Sequence, residues 1–492
     1  MTSLQSRLAR IPPGSAVLFF VQMFSTLGFA VLYGSLVLYA TQKLGFSNEQ
    51  ATLVMGVFGA FNYGLHLFGG YLGGRFLSNR NLFVGGQILQ LLGCASIALG
   101  SVQQLYWGLA LFLTGSGLNV TCLNMMLTQR FAPDDSRREG AFLWNYAGMN
   151  VGFFIGFAVA GHYQLQQAYA SLFWFATLGN LVAVLFCLGY WKVLADLDTP
   201  LLKVSAAQFR WRFALGCAVM GALVPVLWFL LQHPGDTAWL LKGLCALVAL
   251  GLVGLTLRHP LPDERRRMWA YLVLTLGSLM FWSLYQMAPS GLQLFAVGNV
   301  RMQLWGLAIA PQWVQNINTV VIVIGGPLLA AWFAGLRERG WPVDVPQQFA
   351  ASLLLMGLGF LALPLGIHLA DAQGRVAFVW LFTSYVFQSL GELLISPVGY
   401  AMIGRLAPKQ YQGVMMGSWM LVTGLASLFA ADFSGLVAQP ADGSPLTSNP
   451  AYATLFTQLG VGSLVVGVLL LVLTPWLRGM IAGPVAGIVA KG

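Results

Sequence analysis

Long apolar runs separated by short polar intervals make up nearly all of this chain. A run needs about 20 residues to span a bilayer, and six such runs fall near 16–42, 50–74, 82–101, 104–128, 141–161 and 168–191. A basic interval follows, then two runs near 213–232 and 237–257. After a second basic interval come six more, near 268–290, 312–335, 348–369, 376–404, 413–433 and 452–477. The pattern predicts an all-α polytopic membrane protein with 14 spans in the order six, two, six. Three segments follow: residues 1–192 as an N-terminal six-helix bundle, 193–267 as a linker with two additional transmembrane helices, and 268–492 as a C-terminal six-helix bundle.

Composition agrees. The 492 residues are 58% hydrophobic and 8% charged, where soluble domains carry about 25% charge. A net charge of +10 would suit nucleic acid, but the basic residues sit in short intervals between apolar runs, which is a topology signal. With the N-terminus inside, all but four of the 25 Lys and Arg, among them Arg7, Arg10 and Lys491, fall in inner intervals. The exceptions are Lys43, Lys242, Arg301 and Arg375. A missed span would scramble the later intervals, so the bias also tests the count. Both termini are expected in the cytoplasm. The first run has no small-residue cleavage site after it and reads as a retained span.

Several features add little. The five cysteines lie in apolar stretches without CxxC spacing and read as small buried hydrophobes. The sequon at Asn119–Thr121 lies inside a span. DERRRMW (263–269) is a basic run beside a span; topology explains it, and contact with anionic lipid is compatible with it. No Walker loop, Rossmann fingerprint, HExxH or nucleophile elbow occurs, so neither an enzyme nor a cofactor or metal site is supported.

One residue breaks the apolar pattern. Of the 15 acidic residues, only Glu392 lies deep in a span, with Asp432 at the border. An intramembrane carboxylate costs several kcal/mol unless it is paired, protonated or facing water. No Lys or Arg lies comparably deep. Its partner is then a proton or a cation that comes and goes; the plainer alternative is a protonated Glu bonded permanently to a neighbouring helix.

Two six-span halves with a cytoplasmic linker are the layout of the major facilitator superfamily, whose substrate site lies near the midplane. GGYLGGRFLSNRN (69–81) resembles that superfamily's inner-loop signature, with Gly74 where an Asp is usual. The stretch GELLISPVGYAMIGRLAPKQYQGVMMGSWM (391–420) closely resembles the tenth and eleventh helices of the proton-dependent oligopeptide transporter family. RREGAFLWNYAGMNVG (137–152), FWSLYQMAPSGLQLFA (281–296) and IAPQWVQNIN (309–318) agree with that family too. The resemblance covers essentially the whole chain. It implies a major facilitator fold and a monomeric secondary carrier of the bacterial inner membrane, without cofactor. The substrate implied is a small peptide or peptide-like compound moved by alternating access, with protons as a candidate coupling ion.

The departures bear on the site. Where the family has its ExxER motif, this chain has Gln22, Ser25 and Thr26; the family's helix-four Lys falls on Val120, and its helix-seven acid on Gln286. What remains resembles the family's amine clamp, Glu392 with Asn318, together with the aromatic residues Tyr63, Tyr146 and Trp419. Each aromatic residue is as compatible with packing or interfacial anchoring. His66, one turn after Tyr63 where the family has Pro, reads either as a packing His or as a second proton site beside Glu392. Half of a zwitterion site survives and half has become neutral. The expected substrate keeps a cationic group and does not rely on a free carboxylate. The competing expectations are carriage of an amino-acid-derived metabolite such as a siderophore and, in another class, a non-transporting receptor.

Overall fold

The computed structural model describes residues 14–132, 135, 137–341, 343–437 and 444–482. Arg7, Arg10 and Lys491, used for the expected orientation, lie outside these, as do residues 441–443. Among the described residues, 14 helices are long and apolar enough to cross a membrane. In chain order they begin with α1 (Ser15–Gln42), α2 (Asn48–Leu72), α3 (Asn79–Ala98), α4 (Val102–Thr128), α5 (Arg137–Leu165) and α6 (Tyr169–Gly189). The linker pair is α7 (Ala206–Gln232) and α8 (Pro234–Leu257). Then come α9 (Pro262–Tyr285), a short α10 (Gly291–Asn299), α11 (Pro311–Glu338), α12 (Val345–His368), α13 (Phe378–Leu406), α14 (Gln412–Gly435) and α15 (Pro445–Ala482). The expected order of six, two and six spans is met. The apolar run read near 268–290 is broken before Pro289, which has no N–H for a helix to use, and resumes as α10.

Local chemistry sets the helix starts. Ser78 caps α3 by accepting from Asn81 N, and Ser101 caps α4 by accepting from Gln104 N. Ser205 and Gln208 form a reciprocal capping box on α7. Asp344 caps α12 and pairs with Arg478 of α15.

The chain packs as two compact units. One holds the chain up to Phe46 and Val57–Thr237; the other holds Ser47–Gly56 and the chain from Ala238 onward. In the first unit, α3 lies on α4, and α1 lies on α5 and α6. Small residues permit the approach: a Cβ on Gly152 would meet the Met23 carbonyl oxygen of α1 at 2.3 Å. In the second unit, α12 packs on α13 and α15, and α9 packs on α14. Its core includes the fully buried Phe281, Phe349, Phe360 and Phe456. Cys94, Cys122 and Cys187 are buried as expected, whereas Cys217 is exposed and Cys245 half-buried. Both lie on linker helices, and being apolar did not make them core residues.

The stretch 69–81 meets a carboxylate from another part of the chain at the start of α3. Gly74 has φ +72° and donates its N–H to the Leu77 carbonyl at 2.7 Å. The carboxylate at the start of α3 comes from Asp196, after α6, which accepts from Asn79 N at 3.0 Å and Asn79 Nδ2 at 3.2 Å. An acid at a helix N-terminus is favoured by the unsatisfied N–H groups there. Arg80 donates to the Trp191 carbonyl at 2.6 Å and stacks over the Trp191 ring at 4.4 Å.

Candidate functional site

In the second unit the candidate site is built on one stripe of α13. Tyr385, Ser389, Glu392 and Ser396 are spaced by four, three and four residues, so they share a face. Across from them α11 brings Asn318, whose Nδ2 donates to Glu392 Oε2 at 2.6 Å and to Ser389 Oγ at 3.1 Å. The Tyr285 phenol of α9 and the Ser396 hydroxyl also lie beside the Glu392 side chain. Among the described residues no Lys or Arg forms an ion pair with Glu392. The carboxylate is thus oriented by neutral donors, and no fixed cation compensates its charge. Pro397 lies inside α13 and supplies no N–H to the turn that holds Glu392.

Gln286 ends α9 and is buried, with its carbonyl accepting from Ser290 Oγ at 3.3 Å. Trp419 is also buried: its ring lies against Gly399 of α13 and 6.1 Å from the Phe349 ring. A Cβ on Gly399 would stand 2.2 Å from Trp419 Cζ2, so this glycine is what admits the indole.

In the first unit the neutral replacements bond to one another and to nearby amides. Gln22 Nε2 donates to Thr26 Oγ1 at 2.8 Å, and Asn145 Nδ2 of α5 donates to Gln22 Oε1 at 3.5 Å. Gln87 Nε2 of α3 donates to Ser25 Oγ. With its amide turned so that both ends are satisfied, Asn119 accepts from Gln87 Nε2 at 3.0 Å and Gln90 Nε2 at 2.9 Å. At the positions where the family's motif carries charge, this chain has a hydrogen-bonded set of amides and hydroxyls. Val120 is 46% exposed and carries no polar atom.

Tyr63 and His66 meet edge to face, their ring centroids 5.9 Å apart. The His66 carbonyl accepts from Thr121 Oγ1 at 2.9 Å, while its ring Nε2 is buried with no hydrogen-bond partner among the described residues. Tyr146 is exposed on α5, and its carbonyl accepts from Asn150 Nδ2 at 2.9 Å.

Sequence reasoning missed Ser389, Ser396, Tyr285, Gln87, Asn119 and Asn145. A signal existed for the first two, since they fall three residues before and four after Glu392 in an otherwise apolar stretch. Gln87 and Asn119 are amides within apolar runs, and an amide at membrane depth needs partners.

Residues 80–449 match the model of the POT family. The chain is 31% identical over 479 residues to dipeptide and tripeptide permease A of Erwinia pyrifoliae, covering 95% of each chain. It is 30% identical over 492 residues to the permease of the same description from Chromobacterium violaceum, covering 98% of this chain and 96% of that one. Among solved structures it is similar to peptide transporter POT in complex with sulfate, at 27% identity and a TM-score of 0.83, over 96% of both chains. A variant of that description in complex with alafosfalin gives 26% identity and a TM-score of 0.84 over 96% of both chains.

Proposed function

Because the chain belongs to the POT family, we propose that it is a secondary transporter that carries small peptides or peptide-like compounds by alternating access. The observation that carries the reading is the Glu392–Asn318 pair, an oriented carboxylate with no Lys or Arg partner among the described residues. Such a group takes either a proton or the ammonium of a substrate, and an amine entering the site satisfies it at no cost in fixed charge.

The neutral residues of the first unit bear on which substrates suit the carrier. A free carboxylate is held best by charge-assisted bonds, about 1.5–3 kcal/mol each, against about 0.5–1.5 kcal/mol for neutral ones. Gln22, Ser25 and Thr26 offer only neutral groups, and those already bond to Thr26, Gln87 and Asn145. The preferred substrate therefore carries an amine and an uncharged far end: an amidated, esterified, cyclic or otherwise modified peptide. Gln286, Tyr63, Tyr146 and Trp419 belong to the same reading as cavity residues. Glu392, with His66 as second candidate, is the proton carrier.

The reading extends to the setting. The chain works in the bacterial inner membrane as a monomer with both termini in the cytoplasm. Its segments 1–192, 193–267 and 268–492 serve as the two bundles and the linker between them.

A thermal-shift series on the purified protein tests this, wild type beside Glu392→Gln, with dipeptides, their amides and amino-acid-derived metabolites at pH 6 and pH 8. Stabilisation by the amides that is markedly reduced in the variant is the expected result. Free dipeptides binding as tightly as their amides would overturn the neutral-end reading, and binding of metabolites alone would move the substrate out of the peptide class.

A further inference from the structure

The hydrogen-bond directions around Asn318 follow from one backbone carbonyl. Ser389 Oγ lies 2.7 Å from the Tyr385 carbonyl oxygen. A carbonyl only accepts, so the hydroxyl hydrogen is committed to it. The Ser389 oxygen is then an acceptor, and the Asn318 amide 3.1 Å away has to meet it with a hydrogen. Only Nδ2 carries hydrogens. Its second one goes to Glu392 Oε2 at 2.6 Å. Both amide hydrogens are thereby assigned, and Asn318 presents its oxygen, Oδ1, on the other edge.

We infer that Ser389 is a positioning residue: it fixes which way the Asn318 amide faces, so that Oδ1 and the Glu392 carboxylate form a pair of acceptors for the cationic group of the substrate. The inference rests on the reading of Glu392 and Asn318 as the amine site. Glu392 cannot fix the amide in every state by itself. An ionised carboxylate demands the NH2 edge, but a protonated one is also a donor and accepts either edge. An unanchored amide could then turn its NH2 toward the incoming ammonium, setting donor against donor. Ser389 removes that freedom because its own hydrogen is spent within α13. It is buried, with 1% exposure, so water does not compete for the bond.

The test is a pair of isosteric variants, Ser389→Thr and Ser389→Val, which differ only in the hydroxyl, each made in the wild-type and Asn318→Ala full-length chains. The probe is dialanine amide, and the readouts are binding affinity and the concentration for half-maximal counterflow in liposomes. Ser389→Val is expected to weaken binding roughly 3- to 10-fold, the worth of one neutral hydrogen bond. Ser389→Thr should restore most of it, the change falling on the half-maximal concentration more than on the maximal rate. In the Asn318→Ala chain the two variants should bind alike, because the hydroxyl then has no amide to orient.

Equal binding by Thr and Val variants in the wild-type chain, while Asn318→Ala weakens it, would overturn the role of Ser389 and leave the amine site standing. So would a Thr–Val difference that persists undiminished without Asn318. If neither Asn318→Ala nor Glu392→Gln changes binding of the amide, the amine site itself fails and the role of Ser389 falls with it.

Discussion

Lys242 of α8 donates to both carboxylate oxygens of Asp432 of α14, at 2.7 and 2.9 Å, and lies 5.0 Å over the Trp239 ring and 6.0 Å from that of Phe429. The pair fastens the second linker helix to a helix of the second unit. Removing one partner leaves the other charge poorly solvated, a loss larger than the net worth of the pair. Because Asp432 keeps 40% of its side-chain exposure, the cost is discounted to about 1–2 kcal/mol. Asp432→Asn and Lys242→Met should each lower the unfolding temperature in detergent. The swap of Lys242→Asp with Asp432→Lys should recover part of the loss; no recovery would mean that the rings and packing, rather than charge, hold α8.

Gly115 admits the closest approach of α3 and α4. A Cβ there would stand 2.1 Å from the Gly86 carbonyl oxygen and 2.8 Å from Gln90 Cγ. Backbone cannot yield as a side-chain tip can, and overpacking costs about 1–3 kcal/mol or more. Gly115→Ala should therefore reduce folded yield and unfolding temperature. Gly221→Ala in α7 is the control: a Cβ there meets nothing within 4 Å, and the change favours helix by up to about 1 kcal/mol. Equal behaviour of the two variants would remove the close approach as the cause.

The turn after α12 should sense acid. Asp371 Oδ1 accepts from Arg375 N at 2.8 Å and Gln373 N at 3.0 Å, and Asp371 also pairs with Arg301. The Arg375 N–H is the largest of the influences that hold this carboxyl below its ordinary value of 3.8, with the Arg301 and Gln373 contacts adding to it. A depressed carboxyl contributes stability that is fully present above its unfolded value and is lost as pH falls through the folded one. Hydrogen-exchange protection of the Gln373 and Arg375 amides should thus fall below about pH 4 in the wild type. In Asp371→Asn it should be weaker throughout and flat with pH.

The spans were legible because hydropathy and length govern membrane helices almost alone. The length of the apolar runs placed the 14 helices, with ends off by up to seven residues at Ala206 and Pro445, and missed the break between α9 and α10 around Pro289. Glu392 was legible as the one acid deep in a span, and Asn318 Nδ2 lies 2.6 Å from its Oε2. The partners of Gln22, Ser25 and Thr26 were not. Asn145, Gln87 and Asn119 lie on other helices, and no spacing along one helix says which amide across the bundle will satisfy it. The Asp196 carboxylate at α3 was hidden for the same reason, since it lies 117 residues from Asn79.

The two ionisable groups at membrane depth in the proposed cycle should separate by assay. Glu392→Gln keeps an amide where the carboxylate was and can still accept from Asn318, so the local structure should survive while the transferable proton is gone. Exchange of a labelled substrate across liposomes should persist, with weakened affinity, and accumulation driven by a proton gradient should stop. Undiminished accumulation by the variant would take Glu392 out of coupling. His66 is tested first through stability. Its buried Nε2 has no partner among the described residues, and leaving such a group unsatisfied costs about 1–3 kcal/mol. His66→Leu removes that penalty and should hold or raise the unfolding temperature. Should it also abolish gradient-driven accumulation while sparing exchange, the cost of the imidazole is explained by a proton it carries during transport.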